Sequence, residues 1–295
     1  MSGATLIRRG RGKAQASLDL IDAAHRILSE IQPASVRAVC YKLFNEKLIP
    51  SMAKSETNRV GTQLTWAREQ GLIPWAWIVD GTRTIERQPS WDSPDDLLRA
   101  ASQQYRRDWW EQQPVRVLFC SEKSTIAGTV NPVTDQYGVG FLSLHGYSSA
   151  TSTHDVAALS LEDERPLIVF YIGDWDPSGL HMSEQDLPAR LERYGGRVQI
   201  RRIALTQEDT EALGHQPSFA ADDKRKDPRY GWYSENYGPR CWELDALDPN
   251  TLRDRVDQHL RSLIDWPTWE RCSRAEEAER STLLEFVGAW KESRS

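Results

Sequence analysis

The first part of the chain places apolar residues at the three- and four-residue intervals of α-helices. This spacing predicts a first helix over residues 16–30, ASLDLIDAAHRILSE. Pro33 interrupts the pattern, and Ser35 is a suitable N-cap for a second helix, SVRAVCYKLFNEK. A third helix follows in KSETNRVGTQLTWAREQ and stops at Gly71, a residue type common just past helix ends. The sequence therefore predicts a three-helix unit.

A short β-rich segment follows these helices. The run LIPWAWIVDGTRTI predicts a strand, a turn at Asp80-Gly81 and a returning strand. Three helices followed by a small β-ribbon are the layout of a winged helix, a module that binds DNA in many proteins and other proteins in some. We therefore expect a winged-helix DNA-binding domain over residues 1–90.

A linker separates this unit from the rest of the chain. The polar stretch QPSWDSPD contains two prolines, and LLRAASQQYRRDWWEQQ then predicts a helix that ends before Pro114. We interpret residues 91–113 as a linker helix between two domains.

Four apolar runs follow the linker, in the order VRVLFCS, FLSLHG, PLIVFYIGD and RVQIRRIAL. They are apolar on both faces, which is typical of parallel strands covered by helices on either side. A helix through residues 178–194 joins the third run to the fourth and completes a βαβ unit. We therefore expect an α/β domain with a mostly parallel, Rossmann-like sheet over residues 114–250.

The remaining segments have weaker patterns. Residues 207–240 are polar and rich in turn-forming residues. Residues 251–295 predict a C-terminal extension of two helices, separated near Pro267.

Composition narrows the class of protein. With 295 residues, the chain is long enough for two modest domains that each bury a core. No stretch approaches the ~18 consecutive apolar residues of a membrane span. The basic start MSGATLIRRGRGK is not followed by the apolar segment of a secretory signal. We expect a cytoplasmic protein that does not enter a membrane.

The cysteines favour neither zinc nor a disulfide framework. They lie far apart, with no C-x-x-C pair among them, and the histidines show no H-E-x-x-H spacing. We expect each cysteine to act as a small, mostly buried apolar residue. The four are Cys40, Cys120, Cys241 and Cys272.

Charge is unevenly distributed. Residues 1–90 carry 13 Lys and Arg against 8 Asp and Glu, whereas the rest of the chain carries 24 against 35. A basic module beside an acidic one is compatible with an N-terminal domain that binds polyanions and a second domain that binds metal. Ordinary variation in surface charge is the alternative explanation.

Two aspartates in GDWDPSG follow the most apolar run. Asp174 and Asp176 are two residues apart, so in extended backbone their side chains point to the same side. Carboxyl ends of parallel strands form the crevice where α/β sheets usually bind ligands. Two converging carboxylates suit Mg²⁺ or Mn²⁺. Helix capping is the alternative, because Asp176-Pro177 is a good N-cap, but capping does not explain Asp174.

A third carboxylate, Glu122, follows VRVLFCS at the corresponding strand end. If the two strands are neighbours, Glu122 lies within reach of the aspartates. Glu243 and Asp245 in ELDAL are weaker candidates: they support the metal from a further strand, or Asp245 caps a helix.

These motifs resemble a known family. SEK after an apolar strand, with GDWDPSG further along the chain, is similar to the Toprim domain, whose glutamate and Asp-x-Asp bind Mg²⁺ in topoisomerases, primases and certain nucleases. The chain most resembles the topoisomerase VI A subunit and the meiotic double-strand-break proteins, in a bacterial or phage branch. The motifs occur in the family's order: SVRAVCYKLF, AREQGLIPWAWIVDGTR, FCSEKSTIAG, HGYSS, YIGDWDPSG, RIALT and ELDAL.

The resemblance implies roles for individual residues. Glu122, Asp174 and Asp176 match the Mg²⁺-binding triad. In RAVCY, Arg37 and Tyr41 match a winged-helix signature whose second tyrosine attacks DNA and becomes linked to a 5′ phosphate. The first tyrosine of that signature is Cys40 in this chain. Without the family, Tyr41 is an aromatic residue packed on an amphipathic helix and Arg37 a surface charge.

The implied activity is Mg²⁺-dependent DNA cleavage. The attacking group is either Tyr41, which gives a protein–DNA adduct, or water assisted by the metal. The alternative is a non-catalytic DNA-binding or regulatory module that keeps the fold. Residues expected to contact DNA are Arg37, Lys123, His145, Lys224 and Arg229. The alternatives are a solvated side chain for Lys123, a strand cap for His145 and a mobile polar loop for the segment that holds Lys224 and Arg229.

The resemblance also implies partners. A homodimer would cut both DNA strands, with the tyrosine of one subunit working beside the metal of the other. The chain has no G-x-x-x-x-G-K phosphate loop, so any ATP-driven step would need a separate ATPase subunit.

Overall fold

A computed structural model describes residues 13–78, 90–144 and 150–292. It is an α/β protein with a four-stranded parallel sheet, preceded by a helical unit.

The N-terminal unit contains the three predicted helices. Their bounds are Gln15–Ile31 (α1), Val36–Asn45 (α2) and Lys54–Glu69 (α3). Ser35 caps α2 as predicted, because its hydroxyl accepts a hydrogen bond of 3.1 Å from the Ala38 amide. Gly71, at φ 72°, follows the end of α3. Apolar faces of the three helices pack together into a core of their own.

The described part of the strand predicted after α3, residues 72–78, does not form a continuous strand. Residues Trp75–Trp77 form a single 3₁₀ turn, and only Ile78 makes a β-bridge, with Ala34. Arg68 of α3 stacks on the Trp75 ring at 4.2 Å, a contact that helps to hold this turn against the helix. The predicted turn at Asp80-Gly81 and the returning strand lie outside the described residues.

The linker helix is shorter than predicted. Helix α4 spans Pro94–Gln104, and residues 105–113 continue without helical structure. The Arg107 amide and the Trp109 indole N–H both donate to the buried Glu276 side chain, at 3.0 and 2.6 Å. These tertiary contacts draw the chain onto the C-terminal helix, and the predicted helix ends early.

The four predicted strands are confirmed. They are Arg116–Ser121 (β1), Gly140–Ser143 (β2), Leu167–Ile172 (β3) and Val198–Ala204 (β4). All pairs are parallel, in the order β2-β1-β3-β4. Every residue of β3 is buried, as expected for a central strand covered on both faces. Ser121 pairs with Ile172, so β1 and β3 end at the same level.

Helices and short strands complete the fold. The segment predicted as one helix over 178–194 is helical throughout, but one π-helical turn at Met182–Asp186 interrupts it. Residues 207–240 hold two helices that the sequence pattern did not reveal. The remaining elements are Ala127–Thr134 (α5), Ala150–Leu159 (α6), Pro177–His181 (α7), Leu187–Arg193 (α8), Gln207–Leu213 (α9), Phe219–Ala220 (β5), Tyr230–Tyr237 (α10), Arg240–Cys241 (β6), Pro249–Leu263 (α11) and Trp266–Glu292 (α12).

Two separate cores cover the two faces of the sheet. One includes apolar residues of α5 and α11, and the other includes residues of α6 and α8. Cys40, Cys120 and Cys241 are buried thiols, as predicted, and Cys272 is half-buried. In the part of the chain that the structure describes, no helix combines the length and apolar character needed to cross a membrane.

Candidate functional site

The predicted acidic residues lie where β1 and β3 end. Glu122 directly follows β1, and Asp174 and Asp176 follow β3. Because β1 and β3 are adjacent and end at the same level, the sheet brings the three residues to one edge.

Asp174 is held by two donors. It is only 8% exposed, and its Oδ1 accepts hydrogen bonds from the Leu244 amide at 2.7 Å and the Lys123 ammonium at 2.8 Å. Burial raises the pKa of Asp174, and the charge of Lys123 acts against that rise. The same ammonium lies 3.0 Å from Asp245. One lysine is therefore shared by two carboxylates.

Asp176 has two functions in the structure. Its Oδ1 accepts a 2.7 Å hydrogen bond from the Gly179 amide and so caps α7, which confirms the capping interpretation. Its Oδ2 lies 2.7 Å from the Lys224 ammonium. A Cβ atom at position 179 would be 2.4 Å from the Asp174 carbonyl oxygen, so only glycine allows the helix to start this close to the strand end.

The surroundings of Glu122 disfavour its charged form. Burial raises its pKa to about 7, and the negative charges of Asp174 and Asp176 add to the effect. Nearby, the hydroxyl of the fully buried Tyr171 has no hydrogen-bond partner among the described residues. Burial raises the pKa of Tyr171, and the charges of Glu122 and Asp174 raise it further. A positive charge beside Glu122 would relieve this repulsion.

The donor chemistry of the three carboxylates fits a hard divalent cation such as Mg²⁺. Among the described residues, however, no three His, Cys, Asp or Glu side chains already form a group that could hold a metal ion. The two aspartates have lysine partners instead.

The N-terminal unit docks beside this site through its second helix. Ser35 donates a 2.5 Å hydrogen bond to Asp245, and Arg37 forms an ion pair with Glu243. Asp245 lies within a short 3₁₀ helix and does not begin a longer one, so the suggested N-cap is wrong. The N-cap of α11 is Asp248.

Tyr41 faces this interface. It is 3% exposed, and its hydroxyl donates a 3.1 Å hydrogen bond to Glu243. Burial raises the pKa of Tyr41, and the Glu243 charge raises it further while Arg37 opposes the rise. The next residue after Glu243 is Leu244, whose amide binds Asp174. The structure therefore places Tyr41 close to the acidic site of the same chain.

Two clefts open along the interface between the helical unit and the α/β unit. The first, here called the tyrosine cleft, has a volume of about 520 Å³, and Arg37, Tyr41, Lys224 and Glu243 are among its lining residues. The second, the glutamate cleft, has a volume of about 540 Å³. Its lining includes Arg37, Glu122, Lys123 and Asp245. Arg37 borders both.

The other predicted DNA contacts fall in different places. Lys123 and Lys224 each line one cleft, whereas Arg229 lies 3.0 Å from Asp227 at the start of α10 and lines neither cleft. His145 lies outside the described residues.

Arg202 is a site residue that sequence reasoning missed. It donates to the carbonyl oxygen of Asp174 at 2.7 Å and to that of Gly173 at 3.3 Å. Its guanidinium group also lies 5.2 Å from the Tyr171 ring. A charged residue inside the apolar run RVQIRRIAL was the only available signal. Arg202 fixes the backbone from which the aspartates project.

Comparisons with known proteins do not identify the chain. No family model matches it, and no curated protein matches it either.

The acidic site has a consequence for stability. The pKa of Glu122 is about 7 in the folded protein and about 4.5 in the unfolded chain, so the folded state binds the proton more tightly. The free energy of unfolding therefore falls as pH rises from about 4.5 towards 7. We expect Glu122→Gln to stabilise the metal-free protein by about 2 kcal/mol more at pH 8 than at pH 5. Urea unfolding in the presence of a chelator measures the difference.

A glutamate on the surface provides the control for this measurement. Glu285 is exposed on α12, so Glu285→Gln should change stability by similar small amounts at both pH values. Equal pH dependence in wild type and Glu122→Gln would show that Glu122 carries no such penalty.

Proposed function

We propose that this chain cleaves DNA strands with the help of a divalent cation, in the manner of the topoisomerase VI A subunit. One observation supports the proposal: Tyr41 and Arg37 of α2 both contact Glu243, and the next residue, Leu244, binds Asp174 through its amide. We also propose that the helical unit is a winged-helix domain and the parallel-sheet unit a Toprim domain.

The clefts suit the DNA backbone because each carries cationic side chains beside the acidic site. Arg37 borders both, with Lys224 in the tyrosine cleft and Lys123 in the glutamate cleft. A bound phosphodiester in the tyrosine cleft would lie near both the Tyr41 hydroxyl and a guanidinium group.

Tyr41 has a proton acceptor in place. Its hydroxyl donates to Glu243, so Glu243 takes the phenolic proton as the tyrosine oxygen bonds to phosphorus. The bond from phosphorus to the 3′ oxygen breaks, and that oxygen takes a proton from solvent. The products are a 5′-phosphotyrosine and a free 3′ hydroxyl. Arg37 stabilises negative charge on the phosphate.

Glu122, Asp174 and Asp176 would hold the divalent cation. When bound, Mg²⁺ or Mn²⁺ supplies charge stabilisation at the scissile phosphate and the leaving oxygen. Arg202 keeps the Asp174 backbone in place for this task.

Two alternatives remain within the same site. Attack by water would give free DNA ends without an adduct. A non-catalytic DNA-binding module is favoured by one observation: Lys123 and Lys224 form ion pairs with the two aspartates. We retain the homodimer and a separate ATPase subunit as part of the proposal, but here Tyr41 works beside the acidic site of its own chain.

The covalent step is tested with labelled duplex DNA and Mg²⁺, followed by denaturation. Wild type should retain label on the protein, and Tyr41→Phe should reduce this adduct below detection, because phenylalanine keeps the buried ring but lacks the attacking oxygen. Gel separation of protein-bound and free label measures the outcome.

Tyr137→Phe is the matched control, because Tyr137 is also a buried tyrosine that donates to a carboxylate, Asp257 at 2.5 Å. It should form the adduct at the wild-type level. If free ends accumulate without adduct and Tyr41→Phe still cuts, water is the attacking group. If no divalent ion supports cleavage and DNA binding survives Asp174→Ala, the protein is a binding module.

A further inference from the structure

Each aspartate of the acidic site is paired with a different lysine, and Lys123 is also shared with Asp245. Lys123, next to Glu122, lies 2.8 Å from Asp174. Lys224, in the segment between α9 and α10, lies 2.7 Å from Asp176. The two lysines come from distant parts of the sequence, yet both ammonium groups converge on the same strand end.

These pairs use oxygen atoms that a metal would need. Asp174 accepts both the Leu244 amide and Lys123 on Oδ1. Asp176 accepts the Gly179 amide on one oxygen and Lys224 on the other. A divalent cation on both aspartates would therefore compete with the lysines for the same negative charge.

Both lysines also line the clefts. Lys224 belongs to the tyrosine cleft and Lys123 to the glutamate cleft, on either side of Arg37. A lysine ammonium is a compact charge on a flexible four-carbon stem, so it moves between partners by changing rotamers. An ammonium that leaves its aspartate thus has a place beside the DNA backbone.

We propose that Lys123 and Lys224 are exchangeable counter-ions, which neutralise Asp174 and Asp176 in the metal-free protein and transfer to DNA phosphates when a divalent cation binds. This inference rests on the proposed function, and it adds a coupling between the metal and the nucleic acid. Each ligand then favours the other, because the cation releases the ammonium groups that the phosphates receive.

Metal binding without DNA tests the first half of the proposal. Calorimetric titration with Mg²⁺ should show at least about tenfold tighter binding by Lys224→Met than by wild type, because the competing ammonium is gone. Methionine retains much of the apolar stem, and Lys224 is 39% exposed, so the variant is expected to fold.

Lys226→Met is the matched control. Lys226 is exposed two residues further along the same segment, so its substitution removes the same charge from the same loop. It should leave Mg²⁺ affinity within twofold of wild type. An equal gain in both variants would mean that net charge alone sets the affinity, and the proposal would be wrong.

DNA binding tests the second half. Duplex affinity is measured with and without Ca²⁺, under conditions in which a denaturing gel shows intact DNA. Wild type should bind several-fold more tightly with Ca²⁺, and Lys224→Met should lose most of that gain while Lys226→Met keeps it. A full gain in Lys224→Met would overturn the transfer of the ammonium group to DNA.

The outcomes separate this inference from the proposed function. If wild type cleaves DNA but binds Mg²⁺ no more weakly than Lys224→Met, the proposed exchange of lysine partners is wrong and the proposed function stands. A wild-type chain that binds no divalent cation contradicts both the exchange and the metal-dependent function.

Discussion

Asp174→Asn is expected to reduce Mg²⁺-dependent DNA cleavage by about 1000-fold, which corresponds to about 4 kcal/mol of transition-state stabilisation. Asparagine has nearly the same shape as aspartate, and its oxygen still accepts from the Leu244 amide and from Lys123. The substitution removes the negative charge and one carboxylate oxygen, which are the properties that a cation needs. Single-turnover cleavage of labelled duplex at saturating protein measures the effect.

Folding has to be controlled in this experiment, because Asp174 is a buried charge. Asp209 is also a buried aspartate with a cationic partner, since both of its oxygens lie 2.6 Å from Arg255 nitrogens, but it belongs to α9 and is not one of the three carboxylates of the acidic site. Asp209→Asn should lower thermal stability and still cleave at a temperature where it is folded. Near wild-type cleavage by Asp174→Asn would contradict the assignment of Asp174 to a metal.

Asp176→Ser and Asp176→Ala should separate the two functions of that residue. Serine is as good an N-cap as aspartate, whereas alanine lacks the side-chain acceptor for the Gly179 amide. Asp176→Ala should therefore be about 1 kcal/mol less stable than Asp176→Ser. Neither variant has the carboxylate, so both should lose cleavage by at least about 100-fold.

Urea unfolding measures the stability of the two variants, and the cleavage assay measures their activity. If Asp176→Ser cleaves DNA at the wild-type rate, Asp176 caps α7 and is not a ligand of the metal. If both variants unfold at the same urea concentration, the side-chain cap of Asp176 contributes little to stability.

The sheet and its acidic edge could be predicted because their signals are local. Each residue of β3 is apolar or aromatic and buried, so the run itself marks a central strand. The Asp176-Pro177 pair marks the start of α7, and Ser35 marks the start of α2, because capping acts within three residues. Because β1 and β3 are neighbours that end at the same level, Glu122 and Asp174 lie at one edge of the sheet.

The partners of these residues could not be predicted from the sequence. Tyr41 and Glu243 are 202 positions apart, and Asp174 and Leu244 are 70 apart. Their pairing depends on how α2 docks against the α/β unit, and no local pattern encodes that geometry. The lysine partner of Asp176 was expected to contact DNA, but its ion pair with the aspartate was not anticipated.

Local patterns also failed where tertiary contacts decide the backbone. The helical signal of the linker continues past Gln104, yet Glu276 draws the Arg107 amide and the Trp109 indole onto α12. Residues 207–240 look irregular because their helices, α9 and α10, are short and carry many polar residues. A short helix in a polar segment gives too few apolar positions to establish a period.

The adjacency of Glu243 and Leu244 has a mechanical consequence. One residue is tied to Tyr41 and Arg37 of α2, and the next fixes Asp174 through its amide. Any rotation of α2 away from the sheet would displace Glu243, and the next residue, Leu244, would transmit that displacement to Asp174 through its amide. The segment therefore couples the two units. A duplex that moves them apart would free Tyr41 and loosen Asp174 in the same movement.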